Sequence, residues 1–147
     1  MRKKIRAKRF TLDGLKNHNP LNISYDVGKY MKGCIGNNRG KAVFREMGDG
    51  IVAAFNLLHE YNIHHLMKIK YIVQQWCNER GHNYNEVIRT VCGYVGNDED
   101  CYIFVSSLDD REKACKLLAA LSFIENRKDY LSVNQLNESW YSTFKDK

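Results

Sequence analysis

The distribution of glycine divides the 147-residue chain into two regions of different character. Six of its ten glycines fall between residues 28 and 50. Continuous helix is disfavoured there, because each glycine raises the entropic cost of ordering the backbone. Two short extended pieces, residues 21–25 and 42–44, flank a turn-like segment at residues 36–40. We therefore expect a small, irregular β-hairpin near the N-terminus.

Beyond this region the apolar residues recur at the spacing of α-helices. The one proline is Pro20, so nothing later in the chain forces a long helix to break. Asp49 and Ser107 are expected at two helix N-termini, Asn83 with Glu86 at a third, and Ser132 with Gln135 as a capping box at the last. The expected core-facing positions are Ile51, Ala54, Phe55 and Leu58; Leu66, Ile69, Val73 and Trp76; Tyr84, Val87, Ile88, Val91 and Cys92; Ala114, Leu117, Leu118, Leu121 and Ile124; and Val133, Leu136 and Trp140. The fold class that follows is mainly α with a small β-hairpin.

The net charge of +6 is concentrated at the start of the chain, where six of the 23 Lys and Arg residues occupy the first nine positions. We divide the chain into a basic arm, residues 1–14, and one helical domain, residues 15–147. Such an arm can contact nucleic acid, an anionic membrane or an anionic cell wall, and a solvated terminus is the simpler interpretation. No helix carries a basic stripe interleaved with aromatics, so nucleic acid is an unlikely partner.

Targeting and redox signals are weak. The basic start lacks the apolar run of a signal peptide, and no segment is apolar enough to span a membrane. We expect a protein that is cytoplasmic as synthesised and reaches the cell wall only through lysis, a phage particle or a dedicated system. The five cysteines show no C-x-x-C spacing, which favours reduced thiols over a zinc site or a disulfide framework. His59, His64 and His65 lack partners at ligand spacing, so no metal or cofactor is expected.

Glu125 is the strongest catalytic candidate. It ends an apolar helical segment, residues 117–126, and Phe123 and Ile124 beside it would reduce its hydration. Desolvation raises the pKa of a carboxyl group, as a general acid requires near neutral pH. Arg127 and Lys128 would act in the opposite direction. From these residues alone, a solvated glutamate at a helix end is the simpler interpretation.

The chain also resembles a known family over roughly residues 15–130. The resemblance rests on six weak motifs in the same order. They are an Asn-x-x-Pro-x-Asn-Ile segment (residues 17–23), aromatic and glycine-rich pieces (30–33 and 43–45), a Gly-Ile-x-Ala helix ending in Tyr (50–61), a tryptophan ending the next helix (Trp76), the place of a Tyr-x-x-x-Val opening (84–88), and a closing Glu-Asn (124–127). These motifs resemble the small bacterial and phage-related proteins described as virion structural or lysozyme-like proteins. The helix ending in Glu125 is also similar to the motif of lytic transglycosylases.

The resemblance implies a single lysozyme-like helical domain and a peptidoglycan-cleaving activity, with Glu125 as the single general acid and base. Glycosidases usually pair two carboxylates about 5 to 9.5 Å apart, and Asp129, Glu46 and Asp49 are the alternatives for a second group. Asn19, Asn22, Tyr25 and Asn126 are the expected groove-lining residues, because amides and phenols hydrogen-bond sugar hydroxyls. Trp76 and Trp140 are expected in the packed core rather than in a sugar groove.

Three departures favour an alternative. Cys77-Asn78 replaces Ala-Pro after the tryptophan, Ile124 replaces a histidine, and Arg127 replaces a glycine that would give the helix a left-handed ending. The alternative is a non-catalytic virion structural or cell-wall-binding protein with a degenerate lysozyme-like site. Its partners would be peptidoglycan strands or virion components.

Overall fold

The computed structural model describes residues 13–145. Within them the fold is mainly α, with one small antiparallel sheet near the N-terminal end, which confirms the predicted fold class. The predicted basic arm lies almost entirely outside the described residues. In chain order the elements are α1 (Asp13–Lys16), α2 (Tyr25–Gly28), β1 (Cys34–Asn38), β2 (Lys41–Phe44), α3 (Met47–Ile63), α4 (Ile69–Arg80), α5 (Tyr84–Val95), a 3₁₀ turn (Leu108–Asp110), α6 (Arg111–Asn126) and α7 (Val133–Phe144).

The hairpin forms from a different first strand than the sequence indicated. Strand β1 pairs with β2 through an irregular register, and the turn between them places Arg39 and Gly40 at positive φ, as a two-residue hairpin turn requires. The prediction that residues 21–25 supply a strand is therefore wrong. Only Ser24 of that segment joins the sheet, through a single bridge to Lys41.

Two of the four predicted helix caps are confirmed. The Asn83 side chain accepts a hydrogen bond from the Glu86 amide, and Ser132 and Gln135 form the complete capping box. Ser107 precedes the 3₁₀ turn rather than α6 itself. Helix α3 begins at Met47 after Glu46, so Asp49 is not its N-cap. The Asp49 carboxylate instead lies against Gly33, where a Cβ would overlap it.

The core lies between the helices and the inner face of the hairpin. Helix α6 packs against α5 and α7, and α7 packs against α3. Trp76 and Trp140 are fully buried, and Trp140 donates from Nε1 to the Val105 carbonyl at 2.7 Å. The packed-core interpretation of both tryptophans is therefore confirmed. No helix within residues 13–145 combines the length and apolar character needed to cross a bilayer.

The segment between α1 and α2 threads between α3, α6 and the sheet. The Asn17 carbonyl accepts from the Phe44 amide at 2.9 Å, which fixes this segment to β2. A Cβ on Gly50 would overlap the His18 carbonyl, and one on Gly14 would overlap the Asn126 amide. Close approach at these two glycines brings the segment, and with it Asn22, to the end of α6.

Candidate functional site

Glu125 lies in the last turn of α6, with only 14% of its side chain exposed. Asn22 donates from Nδ2 to Oε2 at 2.7 Å, and His82 Nε2 lies 2.9 Å from Oε1. Since an ionised carboxylate only accepts hydrogen bonds, Nε2 carries the proton in this pair. We refer to Glu125, Asn22, His82 and the neighbouring Arg80 as the Glu125 clasp. Both carboxylate oxygens are occupied by groups of the protein itself.

His82 is held in place by the end of α4. Gly81 follows that helix in the left-handed conformation, φ 79°, which turns the chain sharply and directs the next residue back toward the helix. The His82 ring stacks on Trp76 with 4.8 Å between ring centroids and 10° between their planes. The imidazole is therefore fixed on one side by a buried aromatic ring and at its edge by Glu125.

Arg80 and Asn22 complete the clasp from two directions. The Arg80 side chain is only 7% exposed, and its Nε donates to the Leu21 carbonyl at 3.1 Å. Asn22 adopts a left-handed backbone, φ 52°, a conformation that asparagine tolerates better than most residues. These interactions tie residues 21 and 22 to the end of α4 as well as to α6.

The clasp keeps Glu125 ionised. Burial raises the pKa of this carboxyl group, but the hydrogen bonds from His82 and Asn22, with the charges of His82 and Arg80, outweigh it and lower the pKa below its ordinary value of 4.5. Arg127 and Lys128, the cations adjacent in sequence, are both exposed. A general acid needs a pKa shifted in the other direction.

Two of the four expected groove residues are buried in structural roles. Asn19 is fully buried; its Nδ2 donates to the Ile23 and Ala42 carbonyls, and its Oδ1 accepts from the Ile23 amide. Asn126 is also buried and donates to the Pro20 and Ser122 carbonyls. Both amides are used in holding the backbone, which leaves neither positioned to bind a sugar.

The other two expected groove residues differ from each other. Asn22 does meet Glu125, but as a hydrogen-bond donor to its carboxylate. Tyr25 begins α2, is partly exposed, and its hydroxyl makes no hydrogen bond to any group within residues 13–145. The structure thus joins only Asn22 to the candidate catalytic residue.

None of the three candidate second carboxylates belongs to the clasp. Asp129 accepts a hydrogen bond from the Tyr94 hydroxyl at 2.9 Å. Glu46 and Asp49 line a cavity of about 530 Å³ beside the start of α3. The Glu125 carboxylate hydrogen-bonds Asn22 and His82 and none of these three acids.

A concave surface runs along α3. Two cavities of about 570 and 530 Å³ share Lys32, Val52 and Asn56 in their walls, and we call the combined surface the α3 groove. Tyr30 stands at its edge with 88% of its surface exposed. The remaining lining residues are Val27, Met31, Glu46, Gly48, Asp49, Ala53, Leu57, His59, Glu60, Glu138, Ser139, Ser142 and Thr143. Glu125 lines neither cavity.

The cysteines and histidines are the remaining candidates for a disulfide or a metal site. All five cysteines lie in the described residues, and none is disulfide-bonded. Within residues 13–145 no three His, Cys, Asp or Glu side chains lie close enough together to hold a metal ion.

Sequence reasoning missed His82 and Arg80. Neither follows a recognised spacing, and His82 is 43 residues from Glu125. The one local signal is the Arg-Gly-His sequence at the end of a predicted helix, which places two basic side chains around a tight turn. That signal does not identify their partner.

Comparison of the chain with protein-family models and with curated proteins gives no match.

Proposed function

We propose that this protein is a non-catalytic, cell-wall-binding protein with a degenerate lysozyme-like body, of the kind carried by phage particles. The observation that carries the proposal is the Glu125 clasp. A carboxylate that is ionised and bonded at both oxygens has no proton to donate to a glycosidic oxygen. Its role is to fasten the N-terminal segment to α4 and α6.

The α3 groove offers the surface for glycan binding. Its walls carry an amide, hydroxyls and carboxylates, which are the groups that hydrogen-bond sugar hydroxyls, and Tyr30 presents an exposed ring on which a sugar face can stack. The overall positive charge of the chain also favours association with an anionic wall. The resemblance to virion structural and lysozyme-like proteins agrees with this partner.

The second candidate, a peptidoglycan-cleaving glycosidase, keeps one supporting observation. Glu125 lies in a largely dehydrated site at a helix end rather than out in bulk solvent. Cleavage would require a ligand to displace Asn22 or His82 from the carboxylate, and would also require the pKa to rise. We rank it second because both requirements oppose the geometry of the clasp.

The experiment is co-sedimentation with purified peptidoglycan sacculi, together with clearing of a sacculus suspension. We expect the wild-type protein to sediment with sacculi in about 1 M salt, where the Debye length is about 3 Å and unspecific charge attraction is screened. We expect no clearing. Clearing that is lost in Glu125→Gln would establish the glycosidase instead.

Tyr30→Ala locates the binding surface. Loss of one stacking ring should weaken sedimentation about fivefold, the equivalent of about 1 kcal/mol. Tyr71→Ala is the matched control, because Tyr71 is also exposed, at 46%, but lies outside the groove. If both substitutions weaken sedimentation equally, or if neither weakens it, the assignment of the α3 groove as the binding surface is contradicted.

A further inference from the structure

A separate cavity of about 500 Å³ lies between α6 and α7 and the loop that joins them. Its apolar walls include Cys115, Ala119, Leu131 and Leu136. We call it the α6–α7 pocket. Its volume is in the range of small-molecule sites and is too small for a folded partner to enter.

The rim of the α6–α7 pocket carries two cations, Arg111 and Lys116, and two carboxylates, Glu112 and Asp129. Lys116 pairs with Glu112 at 3.1 Å, so these two rim charges compensate each other. Asp129, also on the rim, accepts from the Tyr94 hydroxyl. Arg111 is therefore the cation of this pocket that lacks an ion-pair partner among the described residues.

Arg111 has no carboxylate partner within residues 13–145. Its Nη1 contacts the Asn137 amide oxygen, and its guanidinium lies 5.6 Å from the centre of the Tyr141 ring. Its Nε is buried and has no hydrogen-bond acceptor among the described residues. The guanidinium is thus held by an amide and an aromatic ring, without an ion-pair partner among the described residues.

The apolar walls of the pocket favour a ligand that also has an apolar body. Burial raises the pKa of the Cys115 thiol to about 11, so this side chain is neutral at physiological pH and adds no anion to the pocket. Leu131, Leu136 and Ala119 offer only hydrocarbon. A ligand made only of polar groups would leave them unmatched, and a neutral apolar ligand would leave Arg111 unmatched.

We infer that the α6–α7 pocket binds a small amphipathic anion, whose carboxylate, sulfonate or phosphate head meets Arg111 while its apolar body covers Leu131 and Leu136. Occupancy would pin α6 to α7 near the loop between them. The inference does not depend on the proposed binding of peptidoglycan.

The test is fluorescence titration of the full chain with the anionic probe 8-anilinonaphthalene-1-sulfonate, followed by displacement. Near-ultraviolet circular dichroism checks first that the protein is folded, because this probe also binds loosely packed states. We expect saturable binding at one site, and displacement by decanoate at concentrations at least about tenfold lower than by decanol. Absence of binding, or equal displacement by the two, would overturn the inference.

Substitutions locate the site. Arg111→Gln keeps a side chain that can bond Asn137 but removes the charge, and should weaken probe binding at least about tenfold. Arg111→Lys keeps the charge and should bind the probe more tightly than Arg111→Gln. Lys113→Gln is the matched control, since Lys113 is on the same helix but outside the pocket lining. Equal binding by wild type and Arg111→Gln would overturn the assignment.

A pocket-filling variant covers the case in which Arg111→Gln does not fold. Ala119→Trp leaves Arg111 intact and fills the cavity with an indole, so probe binding should be lost while the protein stays folded. Unchanged probe binding by folded Ala119→Trp would place the probe elsewhere and overturn the inference.

Discussion

At the scale of single residues, Arg127 occupies a position whose backbone conformation would suit glycine better. It ends α6 in the left-handed conformation, with φ 57° and ψ 29°. For a residue with a Cβ the conformation costs roughly 1 kcal/mol or more.

Arg127→Gly should therefore stabilise the protein. We expect the free energy of unfolding to rise by about 1 kcal/mol and the midpoint of thermal unfolding by about 2 to 4 °C, because glycine adopts this conformation without strain. Thermal unfolding followed by circular dichroism measures both. Lys128→Gly is the control, since Lys128 is exposed and is not at positive φ. A gain from Lys128→Gly equal to that from Arg127→Gly would contradict the explanation.

At the scale of helices and strands, sequence reasoning succeeded where the determinant was local. The Ser132 capping box lies within four residues, so the chain alone specifies it. Sequence reasoning failed where contacts between residues distant in sequence determine the local structure. Asp49 has the chemistry of an N-cap, but α3 begins two residues earlier and Asp49 packs on Gly33 instead. Residues 21–25 have strand-like side chains, but residues 34–38 form the ladder with β2, and the earlier segment contributes only the Ser24–Lys41 bridge.

The close packing of α3 on the N-terminal segment gives a prediction for two glycines in its first turn. Gly50→Ala should destabilise the protein by about 3 kcal/mol or prevent folding, because its Cβ would overlap the His18 carbonyl and this backbone atom cannot move alone. Gly48→Ala should be neutral or stabilising by up to about 1 kcal/mol, because a Cβ there meets nothing within 4 Å. Urea unfolding of both variants measures the difference. Similar stability of the two would contradict the described packing.

At the scale of the whole molecule, the Glu125 clasp joins three segments that are remote in sequence. Asn22 is 103 residues from Glu125, and His82 is 43 residues from it. The sequence identified Glu125 as the candidate carboxylate and indicated the apolar helix that carries it. It could not indicate the sign of the pKa shift, because the groups that outweigh desolvation come from the fold.

The sign of that shift separates the two functional hypotheses. A carboxyl group whose pKa is lowered by folding stabilises the protein above the pKa it has when unfolded, and this stabilisation is lost as the pH falls through the folded-state pKa. A general acid with a raised pKa would behave in the opposite way. Its carboxyl group would stabilise the fold at low pH and destabilise it as the pH rises.

The most direct measurement is the free energy of urea unfolding of wild type and Glu125→Gln between pH 7 and pH 3. We expect the wild type to be more stable by about 2 kcal/mol at pH 7, where the ionised carboxylate bonds Asn22 and His82. The difference should shrink as the pH falls below 4.5, the ordinary pKa of this group. A glutamine variant more stable than wild type at pH 7, with the order reversed in acid, would show a raised pKa and contradict the structural role of Glu125.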